Sequence, residues 1–522
     1  MVVTTAENND IFTEARPDSP KIALIGVLLS FAFSGNVTAA EWKIVPSFGL
    51  AETHTDNVRL QGKDKEEVAN VTQATPGISI NATGQRLNLH VNYVVQNYTY
   101  SGTTRETKHD HLLQADANFA LVKNLFFLEG KSSITKQSPS PFGPVTEGSF
   151  NFSDNQTKVK TTTASPYFRR NFSDDFTGEM RYSRDSVSSD NVAINNIDGN
   201  SDAFHFSLNS GVSFQRIKWG LNYHREKIQF EKQAQLAADS TKLNLNYYIS
   251  PLFGLTSTVG KESNSYVSLG EKPPGSFWML GFAWMPTQRT NFYVSAGERF
   301  FGKTYALTIN QRARMSVWSL GYNEEITTTR GQFLLPATDN TSAFLNQLWQ
   351  TTIPDATSRQ KTVDGFIRDT GLPAELAKPI NTFTNQVFLQ RSLQGSVGIT
   401  GVRNTLVFNV FNNLREPLST TNVDALLNPT ALNKVRQTGV NGIWNIQFSP
   451  RTNASLSAAF NRAETIEASL VDKTKTLRAS ISRQLQSKLK ATFELRRVQR
   501  NSTLVTSNYE ENAATLNLLL GF

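Results

Sequence analysis

The sequence predicts an all-β fold, a large antiparallel transmembrane β-barrel of about 22 strands with a helical external loop. Three observations predict this fold class: short segments with apolar residues at alternate positions recur from Trp42 onward, tight turns alternate with long polar connections, and the chain ends in an apolar strand closed by Phe522. The predicted organisation is a signal peptide, 1–40, and one barrel domain, 41–522, with long loop insertions at 329–386 and 415–436.

Composition favours strands that have one apolar and one wet face. Only 39% of the 522 residues are hydrophobic and the mean hydropathy is −0.35, yet Phe occurs 34 times. No run after residue 40 approaches the roughly 20 apolar residues that a membrane-spanning helix needs, whereas a barrel strand needs only about 9–11 residues. Insertion into a membrane therefore has to use strands.

The first 40 residues have the parts of a secretory signal. Lys21 precedes the apolar core 22–33, and small residues at 37–40 offer a cleavage site before Glu41. The alternative is an uncleaved anchor, for which an apolar core of this length is short.

Alternation is clearest in the stretch from Phe204 to Phe214, where Phe204, Phe206 and Leu208 share one face and polar residues fill the other. A soluble sandwich also alternates, so loop asymmetry has to separate the two folds. The predicted strands start near residues 42, 70, 86, 109, 125, 158, 175, 202, 218, 239, 253, 276, 290, 304, 315, 387, 404, 437, 452, 474, 488 and 512.

Connection lengths set the orientation. Tight turns occur at 83–86, 171–175, 250–254, 286–290, 401–404 and 449–453, and longer polar links lie around 54–69, 136–157, 186–200, 262–275 and 501–511. Short turns are typical of the periplasmic side of outer-membrane barrels, so the long links face outside. An even strand number places both chain ends in the periplasm.

Aromatic residues near the turns indicate an interfacial girdle. Trp219, Trp284 and Trp444 are the candidates, and ordinary strand aromatics are the alternative. At the C-terminus, Leu516, Leu518, Leu520 and Phe522 share one face. This pattern resembles the signal that the outer-membrane barrel assembly machinery recognises.

The two insertions interrupt the strand pattern. Pro354-Asp355 is a helix-start signal, and Val363, Phe366 and Ile367 then share an apolar face before Gly371. The second insertion has a shorter helical candidate at 423–427. Either insertion is predicted to fold into the barrel mouth as a gate or plug, because a barrel of this size otherwise encloses an open lumen. An exposed surface loop is the alternative.

Common catalytic signatures are missing, and we predict no enzyme, cofactor or metal. The chain has no Cys, and its six His are scattered. His109-Asp110-His111 is the one tight metal-like group, but alternation places Asp110 on the face opposite the two His. His54, Asp56 and Asn57 form a second polar group, which we interpret as a solvated loop.

Positive charge is in excess. The formal net charge is +8, and residues 1–40 carry two basic against four acidic groups, which leaves +10 on the remainder. The excess suits either a polyanion in the lumen or lipid phosphates at the rim. Candidate lumenal charges lie on polar strand faces near the C-terminus and beside one turn: Arg312, Arg314, Arg478, Lys490, Glu494 and Arg496. They form either a cationic ladder for acidic polymers or pairs, such as Arg with Glu494, that hold the barrel shape.

Several stretches resemble the PEP-CTERM system-associated outer-membrane protein family. They are residues 42–47, 52–57, 76–80, 301–305, 312–318, Tyr322, 390–392 and 401–405. The resemblance implies a Gram-negative outer membrane and a setting of exopolysaccharide production and exosortase sorting. It makes a porin-like conduit for exopolysaccharide the leading functional hypothesis and a structural or assembly barrel the second. The partners implied are outer-membrane lipid and lipopolysaccharide, the barrel assembly machinery and an anionic exopolysaccharide, with no nucleic acid.

Overall fold

The computed structural model describes residues 40–102, 107–146, 148–190, 197–230, 235–265, 275–334, 341–350, 352–370, 386–419, 434–467, 469–504 and 507–522. The predicted signal peptide lies outside these residues except for Ala40, where the first strand begins. The helical candidate at 423–427 also lies outside them.

The described chain forms 22 strands. They are β1 (Ala40–Thr55), β2 (Ala69–Gly84), β3 (Leu87–Gly102), β4 (Thr107–Val122), β5 (Phe126–Gln137), β6 (Thr157–Phe172), β7 (Phe176–Ser189), β8 (Gly199–Ser210), β9 (Ile217–Phe230), β10 (Leu236–Ser250), β11 (Phe253–Asn264), β12 (Ser276–Thr287), β13 (Thr290–Arg299), β14 (Gly302–Arg312), β15 (Ser316–Thr328), β16 (Val387–Thr400), β17 (Asn404–Pro417), β18 (Val435–Ser449), β19 (Thr452–Thr465), β20 (Val471–Gln486), β21 (Leu489–Ser502) and β22 (Tyr509–Gly521).

Every strand pairs antiparallel with its sequence neighbours, and β1 pairs with β22, so the sheet closes into a barrel without edges. The predicted fold class is therefore confirmed. Each predicted strand start lies within three residues of the observed one. The predicted end of one strand is wrong. The alternating stretch predicted a strand as far as Phe214, whereas β8 ends at Ser210 and the following residues form a turn.

The barrel exterior is apolar. In β17, Leu406, Phe408 and Val410 point outward and are 41%, 43% and 39% exposed, whereas the intervening Asn409 and the nearby Asn413 are buried on the inner face. Outward apolar and inward polar residues are the arrangement that lipid outside and water inside require. The period-2 pattern of the sequence thus becomes the two faces of one wall.

The predicted aromatic girdle is present. Trp219, Trp284 and Trp444 lie on the outer face, each within the periplasmic part of its strand. Trp42 and Trp318 join them, and all of these except Trp219 are 40% to 48% exposed. Trp349 is an exception, because it is buried in the 329–386 insertion.

Turns between β2 and β3, β10 and β11, or β12 and β13 span two residues, whereas connections at the opposite end are mostly longer. The predicted sidedness of the loops matches this asymmetry. The insertion predicted at 415–436 is shorter than expected, because β17 continues to Pro417 and β18 begins at Val435.

The C-terminal strand closes the barrel against β1. Leu518 pairs with Leu50, and the backbone N–H of Phe522 donates to the carbonyl oxygen of Pro46 at 3.0 Å. Leu516, Leu518 and Phe522 are exposed on the lipid-facing side and Leu520 shares that face. Their recognition by the assembly machinery stays a prediction.

Three helices lie in the connection between β15 and β16: α1 (Thr329–Leu334), α2 (Thr341–Trp349) and α3 (Ala356–Thr370). Among the described residues, no helix combines the length and apolar character needed to cross a membrane. The positions of these helices inside the barrel define the candidate site.

Candidate functional site in the barrel lumen

Four inward-facing residues on neighbouring strands form a lumenal apolar patch. Val317 is opposite Gly398, Gly398 is opposite Val407, and Val407 is opposite Ile443. All four lie in the periplasmic half of their strands. Apolar surface in a water-filled lumen is unfavourable unless another element covers it.

Helix α2 covers this patch. Its apolar residues pack with the patch in one buried cluster: Phe344, Leu345, Leu348 and Trp349. A Cβ atom at Gly398 would lie 3.0 Å from both Leu348 Cδ2 and Phe344 Cε1. Glycine at position 398 therefore lets the helix lie directly on the strand.

We expect Gly398→Val to loosen α2, because added methyl groups in a packed interface cost about 1–3 kcal/mol. The chain has no Cys, so Leu345→Cys can serve as a single label for the buried face of α2. Maleimide should react about tenfold faster in the Gly398→Val background. Gly321→Val is the matched control, because Gly321 lies on the same lumenal face with no atom within 4 Å of an added Cβ. Equal labelling rates in both backgrounds would contradict this docking.

Helix α3 completes a hairpin with α2. Asp355 caps it, since the carboxylate Oδ2 accepts a hydrogen bond from the Ser358 backbone N–H at 2.7 Å. Val363 is fully buried, and Phe366 and Ile367 pack against the same cluster as α2. The three residues thus lie on one face, as the sequence pattern indicated, and their gating role remains a prediction.

The connection between α2 and α3 reaches the periplasmic end of the lumen. Trp349 Nε1 donates to Thr400 Oγ1 at 3.3 Å, and Thr400 is the last residue of β16. The Arg312 guanidinium, at the end of β14, donates to the Gln350 side chain. The insertion starts at the external end of β15 and therefore extends inside the lumen from the external end of the barrel to its periplasmic end.

Helix α1 crosses the external part of the lumen to the opposite wall. Phe333 and Leu334 pack against Val159, Val187 and Ile197, which belong to β6, β7 and the connection after β7. Arg330 Nη2 donates to the backbone carbonyl of Asp185 at 2.9 Å. Burial lowers the pKa of the Arg330 guanidinium, and the nearby Asp185 carboxylate opposes this shift.

The connection between β5 and β6, residues 138–156, is a second inward-folded segment. Tyr100 Oη donates to the Phe150 carbonyl at 2.5 Å, and Tyr509 Oη donates to the Val145 carbonyl at 2.7 Å. At its far side, Phe142 packs with Val435 and Ala463 of β18 and β19. The sequence predicted that this link lies on the external side, which the structure confirms; the structure adds that it contacts strands across the external mouth.

A buried carboxylate fixes this second segment. Glu511 accepts hydrogen bonds from Asn151 Nδ2 at 2.6 Å and Thr55 Oγ1 at 3.0 Å. Arg496 Nη2 lies 3.1 Å from the Glu511 Oε2 atom, and both side chains are almost completely buried. The ion pair thus links β21, β22, β1 and the 138–156 segment.

Three of the six predicted lumenal charges lie in ion pairs. Arg478 Nε lies 3.4 Å from Glu494 Oε1, and Arg496 pairs with Glu511. Lys490 shares the inner face of β21 with Glu494. Arg314 was expected to share a strand face with Arg312, but β14 ends at Arg312 and Arg314 lies in the turn. The arrangement favours pairs that hold the wall over a continuous cationic ladder.

A lumenal network on β5–β7 was missed by the sequence reasoning. Arg181 Nη1 lies 2.8 Å from Glu129 Oε2, and Arg181 Nε lies 3.0 Å from Glu179 Oε1. Lys131 and Arg169 add further pairs to the same carboxylates at 2.6 Å. The sequence does signal this network, because these charged residues occupy alternate positions on strand faces that point into the lumen.

The polar groups singled out in the sequence separate. His109 and His111 face away from Asp110, whose carboxylate instead lies 2.5 Å from Lys136 Nζ. Asn57 is fully buried and donates to the Gln61 carbonyl at 2.7 Å, so the interpretation of its group as a solvated loop is wrong for this residue. Within the described ranges, no group of three or more metal-ligating side chains is present.

Fold and lumen together define the class: the chain is a 22-stranded β-barrel of the bacterial outer membrane, with a helical hairpin packed inside it. No protein-family profile and no curated protein matches the sequence. Solved structures of similar fold include the siderophore receptor PirA from Pseudomonas aeruginosa, at 9% identity and a TM-score of 0.45 over 92% of this chain and 80% of that chain. PirA from Acinetobacter baumannii gives 8% and 0.47 over 92% and 80%, and OccK5 (OpdH) from P. aeruginosa gives 9% and 0.35 over 92% and 98%.

Proposed function

We propose that this barrel is a gated conduit for an anionic envelope polymer, an exopolysaccharide exported in a PEP-CTERM setting, and that the α2–α3 hairpin is its gate. The observation that carries the proposal is the packing of the hairpin on the lumenal apolar patch. The hairpin covers this patch from inside the lumen, on the path that a polymer would take through the barrel.

The hairpin has the form of a removable element. Its contacts with the wall are mainly apolar, and its polar contacts are largely internal: Asn346 Nδ2 donates to Gln360 Oε1 at 2.8 Å, and Arg359 Nε donates to Asn346 Oδ1 at 3.2 Å. Undocking would therefore expose apolar surface while leaving these hydrogen bonds intact. A gate requires two discrete positions, and the packing on the lumenal apolar patch supplies the docked one.

The charged side chains on the lumenal wall support an anionic polymer as the cargo. The β5–β7 network contains three cations, Lys131, Arg169 and Arg181, with the carboxylates Glu129 and Glu179, and Asp116 of β4 lies opposite Lys131 on the same inner face. Such cations along the wall would lower the barrier for carboxylated or phosphorylated polymers without binding them tightly. The resemblance of the sequence to exopolysaccharide-associated barrels supports the same cargo.

Efflux from liposomes tests the proposal. The deletion variant replaces residues 341–370 with a short Gly-Ser linker, and liposomes are loaded with fluorescent acidic or neutral oligosaccharides of equal length. We expect the deletion variant to release the acidic probe at least tenfold faster than the native barrel, and the neutral probe more slowly than the acidic one. A folded deletion variant that releases neither probe would overturn the proposal.

A structural or assembly barrel is the second candidate, and one observation favours it. The 138–156 segment crosses the external mouth and is fixed by the buried Arg496–Glu511 pair. A segment fixed in this way would keep the external mouth closed. A closed mouth is expected of a non-conducting barrel whose loops hold surface proteins or polymer. If deletion of the gene leaves polymer export intact while surface proteins are lost, this second function replaces the first.

Catalysis is not proposed. The sequence lacks the common catalytic motifs, and the solved structures of similar fold named above are described as receptors or Occ proteins. The prediction that this barrel is not an enzyme stays a prediction.

A further inference from the structure

Five basic side chains on the outer wall form what we call the rim patch: Arg436, Arg462, Lys473, Lys475 and Arg497. They lie on β18, β19, β20 and β21, which are neighbours in the barrel. All five point to the exterior, because each is an even number of positions along its strand from an exposed lipid-facing residue.

The patch lies directly above the lipid boundary. Arg462, Lys475 and Arg497 each follow the outermost large apolar residue of their strand by two positions on the external side; these residues are Phe460, Leu477 and Leu495, exposed by 37%, 51% and 50%. The basic groups are thus at the level where the apolar surface gives way to the headgroups of the outer leaflet.

Its charge is only partly neutralised. Glu464 lies 3.5 Å from Arg436 and 2.5 Å from Arg462, and Glu510 lies 3.1 Å from Arg497. Among the described residues, Lys473 and Lys475 make no ion pair, and both are exposed. Five cations against two carboxylates leave an excess of three positive charges on this part of the wall.

At three other positions on the outer rim, basic residues have acidic partners. Arg184 pairs with Asp202 and Arg225 with Asp239, each at 3.5 Å. Arg391 lies between Glu324 and Glu416, at 3.6 and 2.6 Å. What distinguishes the rim patch from these positions is the clustering of five basic groups on four neighbouring strands, with only two carboxylates paired to them.

We propose that the rim patch binds the phosphate groups of a phosphorylated glycolipid of the outer leaflet, with its acyl chains lying against Phe460, Leu477 and Leu495. Charge complementarity at headgroup level, directly above an apolar wall, matches a molecule that carries phosphates on sugars joined to acyl chains. A soluble anion would use the lysines but not the apolar row. This lipid contact is independent of what passes through the lumen.

The test uses the full-length barrel, stripped of native lipid in detergent and titrated with lipid A carrying two phosphates. The variant Lys473→Gln/Lys475→Gln removes the two unpaired cations without freeing a carboxylate. Because the variant removes two basic groups at an anionic surface, together worth about 2 kcal/mol, we expect roughly thirtyfold weaker binding. The native barrel should also bind lipid A much more tightly than the same lipid without phosphates.

The matched control is Lys261→Gln/Lys303→Gln, which removes the same charge from two exposed, outward-facing lysines on β11 and β14, where Lys303 is opposite Glu298. This control should bind lipid A like the native barrel, and millimolar inorganic phosphate should not displace the lipid. Heat-modifiable gel mobility confirms that each barrel is folded. The proposal is overturned if the β20 variant binds normally, if the control loses equal affinity, if dephosphorylated lipid binds equally, or if inorganic phosphate displaces the lipid.

Discussion

Leu348→Asp should open the lumen, so that a barrel that does not conduct ions becomes one that conducts in planar bilayers. Leu348 is 2% exposed and lies between α2 and the lumenal apolar patch. Removing a buried leucine side chain costs about 2–5 kcal/mol of packing, and burying an unpaired carboxylate adds several more. Both costs apply only to the docked hairpin, so the substitution should raise the undocked population by at least a hundredfold.

The recordings compare native, Leu348→Asp and Gln347→Asp barrels. Gln347 is the preceding residue on α2 and is exposed, so the control adds the same charge to the same helix without entering the interface. Only Leu348→Asp should show frequent stepwise openings. If a barrel shown to be folded by gel mobility stays silent with Leu348→Asp even when Glu511→Gln is added, or if Gln347→Asp opens equally, hairpin docking does not control conduction.

Glu511→Gln should destabilise the barrel by about 3–5 kcal/mol, because it leaves the Arg496 guanidinium buried without a counter-charge. The loss reaches beyond β21 and β22, since Glu511 also accepts hydrogen bonds from Asn151 and Thr55. We therefore expect the 138–156 segment to become sensitive to protease before the strands unfold. Urea unfolding in detergent, followed by tryptophan fluorescence, measures the stability change.

Glu510→Gln is the matched control, because the neighbouring residue points to the exterior and pairs with Arg497 at 3.1 Å with both side chains about half exposed. A solvent-exposed pair contributes only about 0–1 kcal/mol. The two substitutions make the same chemical change one residue apart. Equal destabilisation would show that burial of the Arg496–Glu511 pair is not what makes it important.

The two results together separate the candidate functions. Conduction through the undocked hairpin with an intact 138–156 segment would support a conduit with one gate. Conduction that also requires Glu511→Gln would mean that the external segment closes the mouth as well. In that case the structural or assembly role becomes the better description of the native barrel.

The sequence by itself determined the wall of this barrel. A strand requires only that side chains alternate, and Leu406, Phe408 and Val410 show which face meets lipid without reference to any distant residue. Turn length is equally local, which is why strand starts and sidedness could be predicted. Asp355 marked the start of α3 in the same way, because capping involves residues three positions apart.

Only the tertiary structure decided what occupies the lumen. The lumenal apolar patch takes one residue from each of four strands, so no single segment of sequence signals it. Asn151 meets Glu511 across 360 residues of chain, and a loop of that composition is equally polar whether it lies in solvent or across the mouth. Alternation fixes the direction of each side chain within its own strand, whereas contacts between inward-facing groups depend on barrel closure, which brings distant strands together.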